Sequence, residues 1–370
     1  MSDLPTTMRA ALLLGRGGPD MLVVRDDVPV PVPADDEVLI RVTACGVNNT
    51  DINTRVGWYS KSVTAPTEGG GFAEARADDA TWGGSGLTFP RIQGADPCGT
   101  VVAVGAEADV SLLGARVVVD PWIRDPDRPE DRELAGYLGS ERDGGFAEYC
   151  AVPARNVHPV TADVDDVVLA GLACSWSTAF HMLDRVRLEA GQRIAVTGAS
   201  GGVGSALVGL AAVRGADVTA VAGRDKHDVV RGLGAHRLVA RDVDDVPAAA
   251  VAAAGAEFDV VADVVGGADF GGWLDALRRG GRYVTSGAIA GPVVDLDLRT
   301  LYLHDLELYG ATVFEPRVFA DLVALVNDGL VRPPVAATFP LGQIHEAQEA
   351  FGRKAHVGKI VITIAEPTEP

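Results

Sequence analysis

The strongest chemical signal lies at Ile194–Leu207, which reads Ile-Ala-Val-Thr-Gly198-Ala-Ser200-Gly201-Gly202-Val203-Gly204-Ser-Ala-Leu. A diphosphate is held well by backbone N–H groups at close range and by a helix N-terminus aimed at it. Glycines serve both needs, because they turn the chain tightly and leave no side chain between backbone and ligand. Here they follow an apolar run suited to a buried strand and open a helix-forming run, which is the context the motif requires. The reading is a dinucleotide-binding turn. A second signal closes the next strand, at Val221-Ala-Gly223-Arg224-Asp225-Lys226. A carboxylate at that point would hold a ribose 2′-hydroxyl, whereas a guanidinium suits a 2′-phosphate, which it grips in a bidentate way. Asp225 fits a helix N-cap. Arg224 and Lys226 therefore point to NADPH, the alternative being two solvated cations. A third signal is the polar group Asn48, Asn49, Thr50, Asp51 and Tyr59, a set of hydrogen-bonding groups close together in sequence.

These residues need elements to position them. The first part of the chain reads as β-rich, with short apolar runs at Met8–Leu14, Val38–Thr43, Gly99–Val104 and Ala115–Val119. Pro29, Pro31 and Pro33 make an extended connector, and Thr64–Phe89 and Asp120–Gly145 read as loop insertions. From about Val167 strand and helix alternate. Strands are expected at Ile194–Thr197, Val218–Ala222, Val260–Val265 and Arg282–Ser286, with helices at Val203–Arg214, Asp225–Leu233 and Phe270–Arg279. That alternation implies a parallel sheet covered on both faces. The tail adds helices at Val318–Asn327 and Ile344–Gly352 and a last strand at Ile360–Ile364.

Composition narrows the function. A net charge of −19, from 32 Lys+Arg against 51 Asp+Glu, argues against nucleic acid, whose phosphates need clustered cations. The 47% hydrophobic and 22% charged content fits a globular chain with cores of its own. The opening residues show no basic region followed by an apolar core, so no signal peptide is expected, and the glycines within Ile194–Val213 argue against a membrane span. Cys45, Cys98, Cys150 and Cys174 are scattered without a C-x-x-C pair, suggesting reduced thiols in a cytoplasmic protein.

With these residues in view the chain resembles the medium-chain dehydrogenase/reductase superfamily, in its quinone oxidoreductase-like, zinc-independent branch. The resemblance spans nearly the whole chain. It rests on Ala44-Cys-Gly46-Val-Asn48-Asn-Thr-Asp51, Gly94-Ala-Asp-Pro-Cys-Gly99-Thr-Val-Val-Ala-Val-Gly105, Gly145-Phe-Ala-Glu-Tyr149, Trp176-Ser-Thr178-Ala, the glycine turn and Gly358-Lys-Ile-Val-Ile362. It implies an α/β fold: a GroES-like β-rich catalytic domain from 1–160 and 314–370, and a Rossmann doubly wound parallel sheet over 161–313. It further implies that Thr178, Gly287, Ala288, Ile289, Ala311 and Thr312 flank the nicotinamide, that Lys359 lies near the cofactor, and that a homodimer forms. Leu306–Phe314 reads as an edge strand that a second copy could pair.

Zinc-dependent relatives place a cysteine where this chain has Asn48, a Gly-His-Glu triplet where it has Gly94-Ala95-Asp96, and a cysteine at Cys174. One cysteine with a weak carboxylate does not make the three-ligand site that catalytic zinc needs. The segment corresponding to the structural-zinc lobe, Asp120–Gly145, has no cysteine. No metal is expected, and Cys174 reads as a buried small residue. Without a Lewis acid the easier chemistry is hydride transfer from NADPH to the β-carbon of an enone or quinone, a small electrophilic substrate whose conjugation spreads charge over an enolate. Asn48 would orient the substrate, Tyr59 would supply a hydrogen bond or proton, Thr50 is a relay or turn residue, and Asp51 braces the turn. A zinc-free alcohol or carbonyl reductase, and a non-catalytic or non-redox NADP(H)-binding protein, are the competing readings.

Overall fold

The computed structural model describes residues 4–67 and 87–364. Most of the insertion expected at Thr64–Phe89 lies outside the described residues. Among those described, a seven-stranded sheet is built around Glu37–Gly46, a strand with eight of ten residues buried. Asp96–Val104 and Tyr149–Pro153 pair antiparallel with it, and so does the last strand, Lys359–Thr363, with Val361 opposite Gly46. The last strand therefore returns to the sheet of Glu37–Gly46, and Lys359 enters next to Gly46 and Asp96.

The second sheet is six-stranded and parallel, ordered Arg237–Ala240, Asp217–Ala222, Arg193–Val196, Phe258–Asp263, Leu277–Thr285 and Glu307–Gly310. Its central strands are continuous apolar runs because helices cover both faces. The fold is α/β, with a GroES-like β-rich part and a Rossmann-like parallel sheet. The order reverses at Arg193–Val196, where the chain passes into the glycine turn, and a crevice opens at such a switch point.

Several expected elements differ. The helix expected over Phe270–Arg279 stops at Asp275, and a strand begins at Leu277. Gly280, at φ +69, takes an irregularity in that strand where its pairing register shifts. Asp225 is not a helix N-cap: Gly223 caps a short 3-10 turn over Arg224–Lys226, and Asp225 sits inside it, before the helix His227–Gly232. Among the elements that went unread are the strand Arg237–Ala240, the helix Val246–Ala254 capped by the Asp245 carboxylate, and the helix Ala173–Arg185. No helix among the described residues is long and apolar enough to cross a membrane.

Candidate active site

The floor of the site is a buried polar network centred on Lys359. Its ammonium donates to Asn48 Oδ1 at 2.5 Å, to Asp96 Oδ2 at 2.8 Å and to Ser175 Oγ at 3.4 Å. Lys359 and Asp96 are each 1% exposed. Asp96 uses its other oxygen to accept the Cys174 N–H at 2.6 Å, at the start of the helix Ala173–Arg185. The Asn48 amide donates to Asp96 Oδ2 at 3.1 Å and to the Gly46 carbonyl at 3.3 Å. Both amide hydrogens and the amide oxygen are thus engaged within the wall. Gly46 has to be glycine: a Cβ there would run into the Ala170 carbonyl, the Asp96 carboxylate and the Lys359 stem.

The helix Asn49–Val56 makes one side of the cleft. Asp51 caps it by accepting the Asn48 N–H at 2.7 Å, and Gln93 Nε2 donates to the Asp51 carbonyl at 2.8 Å. Asp51 lies behind the cleft rather than on its lining. Burial raises its carboxyl to about 7, against the opposing bond from the Asn48 N–H, and the Asp96 charge pushes it the same way as burial. Thr50 and Tyr59 do line the cleft. Burial holds the Tyr59 phenol well above its ordinary value, so it stays protonated, and it hydrogen-bonds with the Thr50 and Asn53 side chains. Asn53, one helical turn beyond Thr50, was not read from the sequence, though the (i, i+3) spacing places the two on one face. Cys174 also lines the cleft, but burial, then Asp96, pushes its thiol up to about 12, which leaves it un-ionised and unreactive.

The glycine turn supplies the other side. Gly198 adopts φ +54, Gly201 caps the helix Gly202–Val213, and Gly204 packs so closely on Gly198 that any side chain there would strike its backbone. Two neighbouring cavities flank this turn, one of about 500 Å³ and one of about 370 Å³. Ser200, Gly223 and Lys226 line the larger, while Thr178, Gly202, Val203, Gly204, Gly287, Ala288 and Lys359 line the smaller. Gly198, Gly201 and Ile289 line both, and so do Lys354 and His356, which the sequence reading missed. Burial and then Lys354 depress His356 to about 4, so it is neutral near pH 7.

Three residues expected at the cofactor line neither cavity. Arg224 turns to Asp242 at 3.2 Å, both largely exposed, and Ala311 is packed in the core beside exposed Thr312. The cations on the larger cavity are instead Lys226, Arg241 and Lys354. Arg241 follows the unread strand Arg237–Ala240, and reading Leu238-Val-Ala240 as a strand would have placed it. Among the described residues it has no ion pair. A glycine cradle with Lys226 and Arg241 on the adjoining cavity wall suits the phosphates of a dinucleotide.

Comparison with known proteins agrees with this architecture. Two family models match, "Alcohol dehydrogenase GroES-like domain" over residues 34–162 and "Zinc-binding dehydrogenase" over residues 202–328. A Sinorhizobium meliloti 1021 protein of solved structure, provisionally named an alcohol dehydrogenase, is 46% identical, with a TM-score of 0.89 and 98% of each chain covered. Human quinone oxidoreductase is 26% identical over 351 residues, 92% of this chain and 93% of its own. The chloroplastic NADPH-dependent alkenal/one oxidoreductase of Arabidopsis thaliana is 26% identical over 98% of this chain and 81% of its own. The chain belongs to the medium-chain dehydrogenase/reductase superfamily of oxidoreductases, in its quinone oxidoreductase-like part.

The zinc in the name of one family model does not fit the residues found here. Asn48 Oδ1 and Asp96 Oδ2 already bind the Lys359 ammonium, Ala95 offers no ligand, and Cys174 is the one thiol at these three positions. Among the described residues no three His, Cys, Asp or Glu side chains gather in a metal-binding group.

Proposed function

We propose that the chain binds NADPH and reduces an activated alkene, an enone or a quinone, with no zinc in the step. The observation that carries this reading is the Tyr59 phenol, kept protonated by burial and held by Thr50 and Asn53 on the cavity next to the glycine turn. The chemistry the dinucleotide supplies when bound is a hydride to the carbon conjugated with the substrate carbonyl. Conjugation delocalises the resulting charge, so a few neutral donors suffice where an isolated ketone needs stronger polarisation. Tyr59 donates its O–H to the carbonyl oxygen and is the proton source, while Thr50 and Asn53 fix the direction of that O–H. Asn48 acts through the wall it builds, since its amide hydrogens are already engaged. The N–H groups at Gly201 and Gly202 take the diphosphate, and Lys226 with Arg241 takes the 2′-phosphate. The printed name of the Arabidopsis relative, an NADPH-dependent alkenal/one oxidoreductase, supports cofactor and substrate class alike.

The working units in this reading are 1–160 with 314–370, carrying the catalytic wall, and 161–313, carrying the cofactor. The chain acts as a homodimer through the edge strand Glu307–Gly310, around which Leu298, Tyr302, Leu303 and Leu308 are exposed. A monomeric mass by sedimentation equilibrium would overturn that assembly. The cysteines, all free among the described residues, suit the reducing cytoplasm. The functional test is steady-state turnover of an enone against its saturated ketone, with NADPH and with NADH. Enone turnover with NADPH is expected; ketone turnover alone would favour the carbonyl reductase, and tight NADPH binding without turnover a non-catalytic protein.

A further inference from the structure

The Lys359 network has a geometry that the proposed reduction does not require. Its ammonium is buried, and its partners come from three separate parts of the chain: Asn48 before the helix Asn49–Val56, Asp96 on the strand Asp96–Val104, and Ser175 on the helix Ala173–Arg185. Its stem runs beneath the phosphate-binding helix, 3.4 Å from where a Cβ on Gly202 would stand. An ammonium has three protons to donate, and all three are used here. Asp96 passes the connection on to the Cys174 N–H. One positive charge therefore ties the substrate wall, the helix Ala173–Arg185 and the floor beneath the glycine turn.

We propose that Lys359 is the resident cation of this site, its ammonium taking the place and the cross-linking role of a metal ion, so that the site refuses divalent metal because it is already filled. A dication would need the same oxygens of Asn48 and Asp96 and would stand against a tethered, buried positive charge. Two like charges so close in a dry interior repel far more strongly than in water. The charge also sets the distance between the glycine turn and the wall bearing Asn48, which makes Lys359 a positioning residue. This inference stands whether or not the substrate is an enone, because its test needs no turnover.

The test is a cobalt(II) titration followed by the thiolate-to-cobalt absorption band. Asn48→Cys adds a soft ligand beside Asp96 and Cys174 but leaves the ammonium in place, and it is expected to show no band. Asn48→Cys with Lys359→Met removes the ammonium and is expected to gain the band at one cobalt per chain. A band of equal strength in Asn48→Cys alone would overturn the proposal, as would its absence in a folded double variant. The wild-type chain gives a second measurement that depends on no variant folding. Its ¹⁵N-lysine spectrum is expected to hold one slowly exchanging NH3+ signal, retained with NADPH bound and lost in Asp96→Asn. A neutral or rapidly exchanging Lys359 would overturn the proposal as well.

Discussion

Arg241 stands beside Lys226 on the wall of the larger cavity, and the two cations face the same space. Lys226 has its pKa lowered by its own burial and then by the Arg241 charge. Its ammonium donates to the Lys354 carbonyl at 2.5 Å, which fixes its direction without neutralising it. The Asp225 charge opposes the lowering of the Lys226 pKa but ranks behind burial and Arg241, so an anion entering the cavity relieves repulsion between the two cations. A charge-assisted bond to a phosphate contributes about 1.5–3 kcal/mol. Arg241→Ala is therefore expected to weaken NADPH roughly ten- to a hundredfold and to leave NADH unchanged, as read by isothermal titration. Arg224→Ala is expected to do much less, because Arg224 is paired with Asp242 away from the cavity. The reverse ranking would return cofactor choice to Arg224.

The proton chemistry makes a separate demand on Tyr59. Removing a positioned donor of this kind costs typically about 10²–10⁴ in rate. Tyr59→Phe is expected to lower kcat for a reactive enone by at least ~100-fold while changing KM little. Asn53→Ala, which frees the phenol to rotate, is expected to give a smaller loss of the same kind. Unchanged kcat in Tyr59→Phe, measured under saturating NADPH, would remove Tyr59 from the chemistry.

What was legible in the sequence was whatever depends on local pattern. Gly198–Gly204 can be read because the turn, the helix start and the close packing all demand glycine within a few residues. Asn48, Thr50 and Tyr59 can be read because one short segment carries them. The rest was hidden by distance along the chain. Lys359 meets Asn48 across 311 residues and Asp96 across 263, and no spacing rule reports such a contact. Arg241 was lost for a local reason: the strand before it is only four residues long and its first two residues are only partly buried, so its pattern is weak. The helix over Phe270–Asp275 was drawn too long because Leu277-Arg-Arg continues its period, although the strand already begins at Leu277 with no glycine or proline to mark the change.

Two glycines of the turn separate folding from binding. At Gly204 a Cβ would strike the Gly198 carbonyl and the Ala199 backbone, so Gly204→Ala forces the strand-to-helix junction apart. Its melting temperature is expected to fall by several degrees, about what 1–3 kcal/mol of overpacking gives a chain this long. At Gly201 the nearest atom to a built Cβ is the Gly198 carbonyl oxygen at 3.5 Å, and φ is −74. Gly201→Ala is thus expected to fold normally yet weaken NADPH, because its methyl group occupies the space into which the cofactor approaches. Thermal melts and titrations on both variants distinguish these outcomes, and equal binding by Gly201→Ala and wild type would place the diphosphate elsewhere.

Asp51 carries a pH signature of its own. Its carboxyl ionises near 3.8 in an unfolded chain and at about 7 in the folded one, raised mainly by burial. Between those values the native chain keeps a proton that the unfolded chain has released. The stability associated with Asp51 is therefore greatest below about pH 4, falls as pH rises towards 7, and stays level above it. Asp51→Asn cannot ionise, and its amide oxygen can still accept the Asn48 N–H, so the variant escapes that loss. Urea midpoints for the two chains are expected to be similar at pH 4 and to diverge in favour of Asp51→Asn by pH 7. The divergence has an upper bound of roughly 4 kcal/mol. A difference that stays constant with pH would mean that Asp51 is already ionised at pH 4 in the folded chain, with the nearby Lys359 charge outweighing burial and Asp96.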